Sequence, residues 1–265
     1  MGQREREINA SPPGQENFLA HVPELRSRPR RLIAILLALA SFGTATALML
    51  GLDGRWPRWS PLGQVAGVVV GFVVAAQFFW RRKAYRAKYG DMAYRNAGLH
   101  FIVPGLPVMF AAIFHTLYLP GERIVPGWAA PITSLGGIVF LAVGAALYVR
   151  AYIAFGVDNL AMLYVYFPAE GRMVNSSIYD ILRHPAYAGV VRTGLAFGLW
   201  RGTWFSILFS LFMPVGLTMW LRLVEEPELI ERFGANYADY RRRVPAFWPR
   251  WRDVPRFLRF LMTGT

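Results

Sequence analysis

Long uncharged apolar runs alternate with short polar segments over the first 155 residues of the chain. A helix of about 20 residues spans about 30 Å, the thickness of the hydrocarbon core of a bilayer. Four runs have about this length, at residues 32–52, 61–80, 99–119 and 131–149. The pattern predicts four membrane-spanning helices in a region that covers residues 31–155.

Two further apolar runs follow, at 187–200 and 204–221. The segment Arg201-Gly202-Thr203 between them is typical of a tight turn, so these runs predict a helical hairpin. The predicted fold is therefore all-α and polytopic in the membrane. It has four spanning helices followed by the hairpin, or about six helices in total.

The two ends of the chain differ from this apolar body. Residues 1–30 contain many charges and the segment Pro12-Pro13-Gly14, and residues 251–265 are again polar and basic. Segments of low hydrophobicity and high charge do not bury enough apolar surface to fold alone. We predict an N-terminal tail over 1–30 and a C-terminal tail over 251–265.

The formal net charge is +13, and the basic residues flank the apolar runs. They are concentrated before the first run and in the loop 81–95, whereas the first loop contains only Arg55 and Arg58. Because basic residues favour the cytoplasmic side, we predict cytoplasmic N- and C-termini in a bacterial or archaeal inner (plasma) membrane. The positive charge is explained by the membrane, so no nucleic-acid partner is expected.

The chain has no cysteine and four histidines. No two histidines have the spacing of a close metal pair, so we expect no metal site. His100 and His115 lie in an apolar run and are interpreted as hydrogen-bonded core residues. Arg192 interrupts the first hairpin helix, where a charge needs a partner or a cavity. It is a candidate for orienting an anionic acceptor.

Two polar clusters bracket the hairpin. One covers 183–189 and the other runs from the pair Glu225-Glu226 to Val244-Pro245. A hairpin returns its two ends to one place, so both clusters are expected at one membrane surface. From the residues alone, they are either helix-end anchors or a pocket that binds a cationic group beside apolar helices.

Three motifs in this region resemble those of membrane methyltransferases, a superfamily that includes isoprenylcysteine carboxyl methyltransferases and phospholipid N-methyltransferases. They are RHPAYAG at 183–189, EEPEL at 225–229 and FGANYADYRRRVPAFWP at 233–249. The resemblance covers residues 156 to 249, and it implies a cofactor region over 156–250. It also implies S-adenosylmethionine as the methyl donor, bound on the cytoplasmic side.

The resemblance implies a set of cofactor-binding residues, namely Val174, Tyr179, Arg183, His184, Pro185, Tyr187, Gly189, Glu225 and Glu226. Val174 and Tyr179 fit the pattern of the prenylcysteine enzymes upstream of the first motif, whereas Asn175 and Ser177 depart from it. His184, Glu226 and Arg192 are the candidates for the catalytic step. His184 or a glutamate is able to take a proton from an amine acceptor.

The predicted function is S-adenosylmethionine-dependent methyl transfer to a lipid-like acceptor, either a prenylated carboxylate or a phospholipid amine. Its partners are then the membrane and a lipid or lipid-like substrate. Three alternatives remain open. They are a small-thiol methyltransferase, a membrane reductase of the sterol type that uses a nicotinamide cofactor, and a non-catalytic transporter or scaffold.

Overall fold

The structure is a computed structural model that describes residues 12–175 and 177–264. Within those ranges every regular element is helical and there is no β-strand. Extended backbone pairs at a single isolated bridge, between Arg123 and Thr203. The all-α prediction is confirmed.

The helices are, in chain order, α1 Gln15–His21, α2 Arg28–Arg55, α3 Ser60–Trp80, α4 Arg82–Tyr89, α5 Ala93–Ala97, α6 Val103–His115, α7 Ala130–Phe155, α8 Val157–Leu160, α9 Pro185–Arg201, α10 Trp204–Trp220, α11 Glu226–Phe233, α12 Ala235–Arg243 and α13 Val254–Thr263. Two π-helical turns interrupt this pattern. Gly98–Ile102 joins α5 to α6, and Leu221–Glu225 joins α10 to α11.

Five helical segments within the described residues are long and apolar enough to cross a membrane, which fits an integral membrane protein. They are Arg28–Arg55, Pro57–Trp80, Arg82–His115, Gly127–Phe155 and Trp204–Phe233. The four spans predicted before the hairpin correspond to the first four. The second hairpin helix belongs to the fifth, which continues beyond the predicted end of the hairpin.

The first hairpin helix is not among the candidate spans. Helix α9 has only 17 residues and contains the buried Arg192. It packs along α7 and against α10. Helix α6 packs in the same way against α2 and α3.

Glycine allows the closest of these helix contacts. A Cβ atom placed on Gly144 of α7 would lie 3.1 Å from the carbonyl oxygen of Gly189 in α9, and a Cβ on Gly189 would lie 3.0 Å from the oxygen of Gly144. The two backbones therefore touch. Small residues permit such contacts in membranes, where apolar side chains gain little by leaving lipid.

The turn between α9 and α10 has the predicted position. Gly202 adopts a left-handed conformation with φ 65°, which glycine accepts without steric cost. Thr203 then begins α10 with a capping box, in which its side chain and that of Ser206 each accept a hydrogen bond from the other residue's backbone N–H. The hairpin places the start of α9 and the end of α10 at the same end of the bundle.

The predicted N-terminal tail is wrong for residues 12–27, while residues 1–11 lie outside the described part of the chain. Pro13 accepts a hydrogen bond of 2.7 Å from the backbone N–H of Val157. Asn17 donates to the hydroxyl of Tyr164 at 2.8 Å. These hydrogen bonds hold the segment in place although it has little apolar surface to bury. Residues 12–27, called the N-terminal segment below, are thus docked on the loop 156–170.

The predicted C-terminal tail is helical over most of residues 251–264. Its residues include α13, which buries Phe257 and Phe260 and packs against α7. Arg256 also forms an ion pair of 2.8 Å with Asp180. Charged residues are interspersed among apolar ones in this segment, and the spacing of its aromatic residues gives the helix one apolar face.

The two intramembrane histidines differ from each other. His115 is fully buried, and its Nε2 lies 2.9 Å from a carboxylate oxygen of Asp53. This confirms the interpretation for His115. The interpretation is wrong for His100, which is exposed and contacts the hydroxyl of Tyr85 at 3.0 Å.

Candidate functional site

A cavity of about 230 Å³ lies where α3, α6, α7, α9 and α10 meet at one end of the bundle. Two kinds of side chain line it. The charged and amide side chains are Asn159, Arg172, Arg183, His184, Glu225, Glu228 and Arg232. The apolar side chains from the long helices are Phe79, Leu106, Met109, Phe110, Val190, Leu217 and Trp220.

The first motif enters this cavity because the tail of the chain holds its backbone. The N–H of Arg183 donates to the oxygen of Pro245 at 2.9 Å, and the N–H of His184 donates to the oxygen of Ala246 at 3.2 Å. Pro185 then occupies the first turn of α9, where its missing N–H costs nothing. His184 is therefore fixed at the start of the helix.

The acidic pair sits on a deformed but continuous helix. Glu225 ends the π-helical turn and Glu226 begins α11. Pro227 has no N–H to donate to the carbonyl of Leu223, as a helix would require. That carbonyl accepts instead from the indole Nε1 of Trp80 at 3.1 Å. The deformation turns both carboxylates towards α9.

Glu226 is the centre of a buried ionic cluster. Its side chain is 2% exposed. One carboxylate oxygen accepts from Nε of Arg183 at 2.9 Å, and the other lies 3.2 Å from Nη1 of Arg241. Nε2 of His184 lies 3.5 Å from the first of these oxygens. Two arginines thus compensate a carboxylate that burial alone would destabilise.

Glu225 faces the cavity with a different set of partners. It accepts hydrogen bonds from the hydroxyl of Tyr187 at 2.6 Å and from the indole of Trp220 at 3.3 Å. Nδ1 of His184 lies 3.5 Å away. In contrast to Glu226, Glu225 has no arginine partner among the described side chains. Its negative charge is therefore available to a cationic ligand.

Two tyrosines from α12 close the site on the side of the tail. The hydroxyl of Tyr237 lies 3.4 Å from Nε2 of His184, and Tyr240 donates to the backbone oxygen of Tyr179 at 2.6 Å. Burial, and after it the charge of Glu226, raises the pKa of Tyr237 well above its usual range. Its hydroxyl therefore keeps its proton at neutral pH.

Most of the predicted cofactor residues meet in this cavity. Those that line it are Val174, Tyr179, Arg183, His184, Pro185, Tyr187 and Glu225. Glu226 lies behind this lining and fixes Arg183. Gly189 does not line the cavity, because it faces Gly144 in the contact between α7 and α9. Its role is close helix packing.

Arg192, the predicted candidate for orienting the acceptor, lies outside the cavity and has partners of its own. It is buried to 3% exposure. Its Nη1 donates to the oxygens of Ala188 at 2.8 Å and Phe247 at 3.1 Å, and its guanidinium lies over the rings of Trp248 and Phe257. A buried arginine needs partners, and here the C-terminal segment supplies them.

Several residues of the cavity were not singled out from the sequence. They are Arg172, Trp220, Glu228 and Arg232. Arg232 pairs with Glu228 at i and i+4, a spacing that is visible in the sequence. Arg172 gives no such signal, because its position depends on the irregular loop before α9. It forms no salt bridge with any side chain in the described ranges.

A family profile and a curated protein match this chain. The profile of the phospholipid methyltransferase family matches residues 132–236. Methanethiol S-methyltransferase 2 from Bradyrhizobium diazoefficiens is 42% identical over 74 residues, which are 28% of this chain and 27% of that protein. The alignment therefore spans about a quarter of the length of the relative. No solved structure matches.

These matches confirm the resemblance that the motifs predicted. The region 132–236 runs from α7 to the start of α12 and includes the whole of the first two motifs. It contains His184, Glu225 and Glu226. The class follows from two findings, the five segments able to cross a membrane and the match at 132–236: the comparisons support a membrane methyltransferase.

Replacing Glu226 by Gln should destabilise the protein, because Arg183 and Arg241 would then remain close together without the compensating charge. Removal of one partner from a buried ion pair typically costs about 3–5 kcal/mol. The free energy of unfolding in detergent should fall by about that amount. Denaturant titration followed by tryptophan fluorescence measures it.

The matched control is Glu231→Gln on the same helix. Glu231 pairs with Arg82 and Lys83, but its side chain is 51% exposed. The expected loss is therefore about 1 kcal/mol or less. Equal losses in the two variants would contradict the assignment of Glu226 as the centre of the cluster.

Proposed function

We propose that this protein transfers the methyl group of S-adenosylmethionine to an apolar, lipid-like acceptor at the cavity between α3, α6, α9 and α10. The proposal rests on the difference between two walls of the cavity, of which one is charged and the other apolar. One wall contains several arginines and the carboxylate of Glu225, which forms no salt bridge with an arginine among the described residues. The opposite wall is formed by apolar helices. A charged cofactor and an apolar acceptor need both walls.

The side chains fit the charges of this cofactor. Glu225 offers a carboxylate to an ammonium or sulfonium group, whereas Glu228 is already paired with Arg232. Arg172, which has no salt-bridge partner among the described residues, offers a guanidinium to a carboxylate. Aromatic rings such as Tyr179 and Phe233 line the same cavity and offer faces to a planar heterocycle.

S-adenosylmethionine, when bound, supplies an electrophilic methyl group on a positively charged sulfur. The residues of the chain then have to orient that group and exclude water. Tyr187 and Trp220 fix the carboxylate of Glu225 by hydrogen bonds. Glu226 fixes Arg183 behind the cavity wall. Holding reactants in line is the main source of rate in such a transfer.

His184 has a positioning role in this proposal. Nδ1 and Nε2 of its ring face the carboxylates of Glu225 and Glu226, each at 3.5 Å. The ring therefore links the two acidic side chains, and neither nitrogen points freely towards an acceptor. A carboxylate or thiolate acceptor, which needs no proton removed, fits this arrangement better than an ammonium does.

The apolar wall supports a lipid-like acceptor. Leu106, Met109 and Phe110 of α6 face Val190 and Leu217 across the cavity. These helices lie among the candidate spans or pack between them. A hydrocarbon chain that enters from the bilayer would therefore contact apolar side chains as far as the charged wall. A prenylated carboxylate is the acceptor we favour, and a phospholipid amine is the second.

A small thiol is a separate candidate for the acceptor. It is favoured by the name of the curated relative, methanethiol S-methyltransferase 2, with which the chain shares 42% identity over 74 residues. A thiolate needs no base and only a small apolar pocket. The wall around Met109 would then exclude water from the thiolate and would not hold a chain.

The cavity is proposed to face the cytoplasm of a bacterial or archaeal inner membrane. It lies at the end of the bundle where α2 begins and α3 ends. Arg28, Arg30 and Arg31 begin α2, and the basic helix α4 follows α3. Clustered basic residues mark the cytoplasmic side, and they support this orientation.

Cofactor binding should be detectable by calorimetry of the purified protein with S-adenosylmethionine and its demethylated product. Wild type should bind both at micromolar concentration. Glu225→Gln should weaken binding about tenfold, because hydrogen bonds to a charged group contribute about 1.5–3 kcal/mol. His184→Ala should weaken it as well, since Glu225 loses its neighbour.

Asp53→Asn is the control, because Asp53 pairs with His115 at the opposite end of the bundle. Its binding should equal that of wild type. If folded wild type binds neither compound in detergent or in lipid, the proposal fails. The remaining hypotheses would then be a sterol-type reductase that uses a nicotinamide cofactor and a non-catalytic transporter or scaffold.

Met109→Trp should separate the two acceptor classes in a transfer assay with radiolabelled cofactor. The larger ring fills the apolar wall, so transfer to a prenylated carboxylate should fall at least tenfold while cofactor binding persists. Transfer to methanethiol should change little. The control Val139→Trp places the same ring on an exposed position of α7.

Transfer by wild type to methanethiol, with none to prenylated carboxylates or phospholipid amines, would replace the lipid-like acceptor by the small thiol. Equal loss in Met109→Trp and Val139→Trp would show that the apolar wall does not contact the acceptor.

The orientation should follow from labelling of single cysteines, because the chain has no cysteine of its own. Trp128→Cys and Lys88→Cys place a thiol on exposed residues at opposite ends of the bundle. In intact cells, a membrane-impermeant maleimide should label position 128 and not position 88. Lysed cells should show both labels, and the reverse pattern in intact cells would refute a cytoplasmic cavity.

A further inference from the structure

A second cavity of about 620 Å³ lies between the N-terminal segment, the start of α2, α5 and the following π-helical turn. Most of its lining is apolar, as in Phe18, Val22 and Leu25. Of the residues that line it, only Ala161 falls within the methyltransferase match at 132–236. The family therefore assigns this cavity no role.

The charged side chains of the cavity carry a net positive charge. Glu24 accepts a hydrogen bond from Arg95, and this pair is compensated. The side chain of Arg30 also lines the cavity. It forms no hydrogen bond or salt bridge with any residue in 12–175 or 177–264, although its charge helps to lower the pKa of Glu24. One guanidinium is thus left for an anion.

The order of residues along α2 matches the order of groups in a lipid. Arg30, Ile33, Ala34 and Leu37 all line the cavity and are spaced at i, i+3, i+4 and i+7, so they share one face of the helix. Arg30 lies in the first turn. Leu37 lies about 10 Å further along the axis, towards the middle of the span.

The cavity also borders the surface that faces the bilayer. Ile33 is 56% exposed and Leu37 is 48% exposed, although both line the cavity. A hydrocarbon chain is able to reach the cavity along these side chains without crossing water. The cationic group would then stand at headgroup level, above the apolar part.

We infer that this cavity binds one anionic membrane lipid, with its phosphate at Arg30 and one acyl chain along Ile33, Ala34 and Leu37. The lipid would fill the space between α2 and the N-terminal segment. The inference does not depend on the methyl-transfer chemistry, because none of the residues proposed to bind the cofactor is involved.

The test is native mass spectrometry of the delipidated full-length protein, titrated in detergent with phosphatidylglycerol or with phosphatidylcholine. Wild type should retain one molecule of the anionic lipid more tightly than the zwitterionic one. Arg30→Gln should bind phosphatidylglycerol about fivefold more weakly, because one arginine near an anionic headgroup contributes about 1 kcal/mol. Binding of phosphatidylcholine should weaken less, because its choline ammonium offsets the charge of the phosphate.

The control is Arg28→Gln, which removes an arginine two residues earlier that does not line the cavity. Its affinity should change less than twofold. Equal weakening by the two variants, or equal affinity of wild type for the two lipids, would overturn the placement of the phosphate at Arg30.

A second pair of variants tests the place of the acyl chain. Ala34→Phe fills the cavity and should abolish retention of both lipids, whereas Ala40→Phe adds the same ring to an exposed position of α2. Lipid retained equally by both variants would refute the site. Should Ala34→Phe fail to fold, the comparison of Arg30→Gln with Arg28→Gln still decides the proposal.

Discussion

The ionic cluster around Glu226 connects parts of the protein that would otherwise be separate. Arg183 belongs to the segment before α9, Glu226 to the helix that follows the hairpin, and Arg241 to α12 near the end of the chain. The buried carboxylate of Glu226 is stable only while its arginine partners are present. The wall of the first cavity, the docking of residues 244–247 and the orientation of His184 depend on this mutual compensation.

Two departures from regular α-helix position side chains that line the cavities. The π-helical turn before Glu226 follows from Pro227, which removes one backbone donor, and the freed carbonyl of Leu223 is satisfied by Trp80 of α3. Such turns occur often at functional sites. The other π-helical turn, Gly98–Ile102, contributes Ile102 to both cavities. In both cases an irregular turn carries side chains that line a cavity.

Hydrophobic runs and short motifs made much of this structure predictable. The spans, the hairpin and its turn follow from lengths that a bilayer imposes, and the three motifs identified the part of the cavity lining that surrounds His184 and Glu225. The docking of the chain ends was not predictable, because it depends on contacts such as Asn17 with Tyr164, which no local pattern encodes. The surroundings of Arg192 were not predictable for a related reason. Its partner Phe247 lies 55 residues away, in the third motif.

The docked N-terminal segment has a consequence for how the protein is made. Asn17 leaves the ribosome early, but its partner Tyr164 lies 147 residues later, beyond four of the candidate spans. Closing so long a loop is slow compared with forming a helix. The loop that lines the first cavity therefore gains its support only after the preceding helices have entered the membrane. Assembly of this cavity is in this sense a late event of biogenesis, because it needs contact between a segment made before the four spans and one made after them.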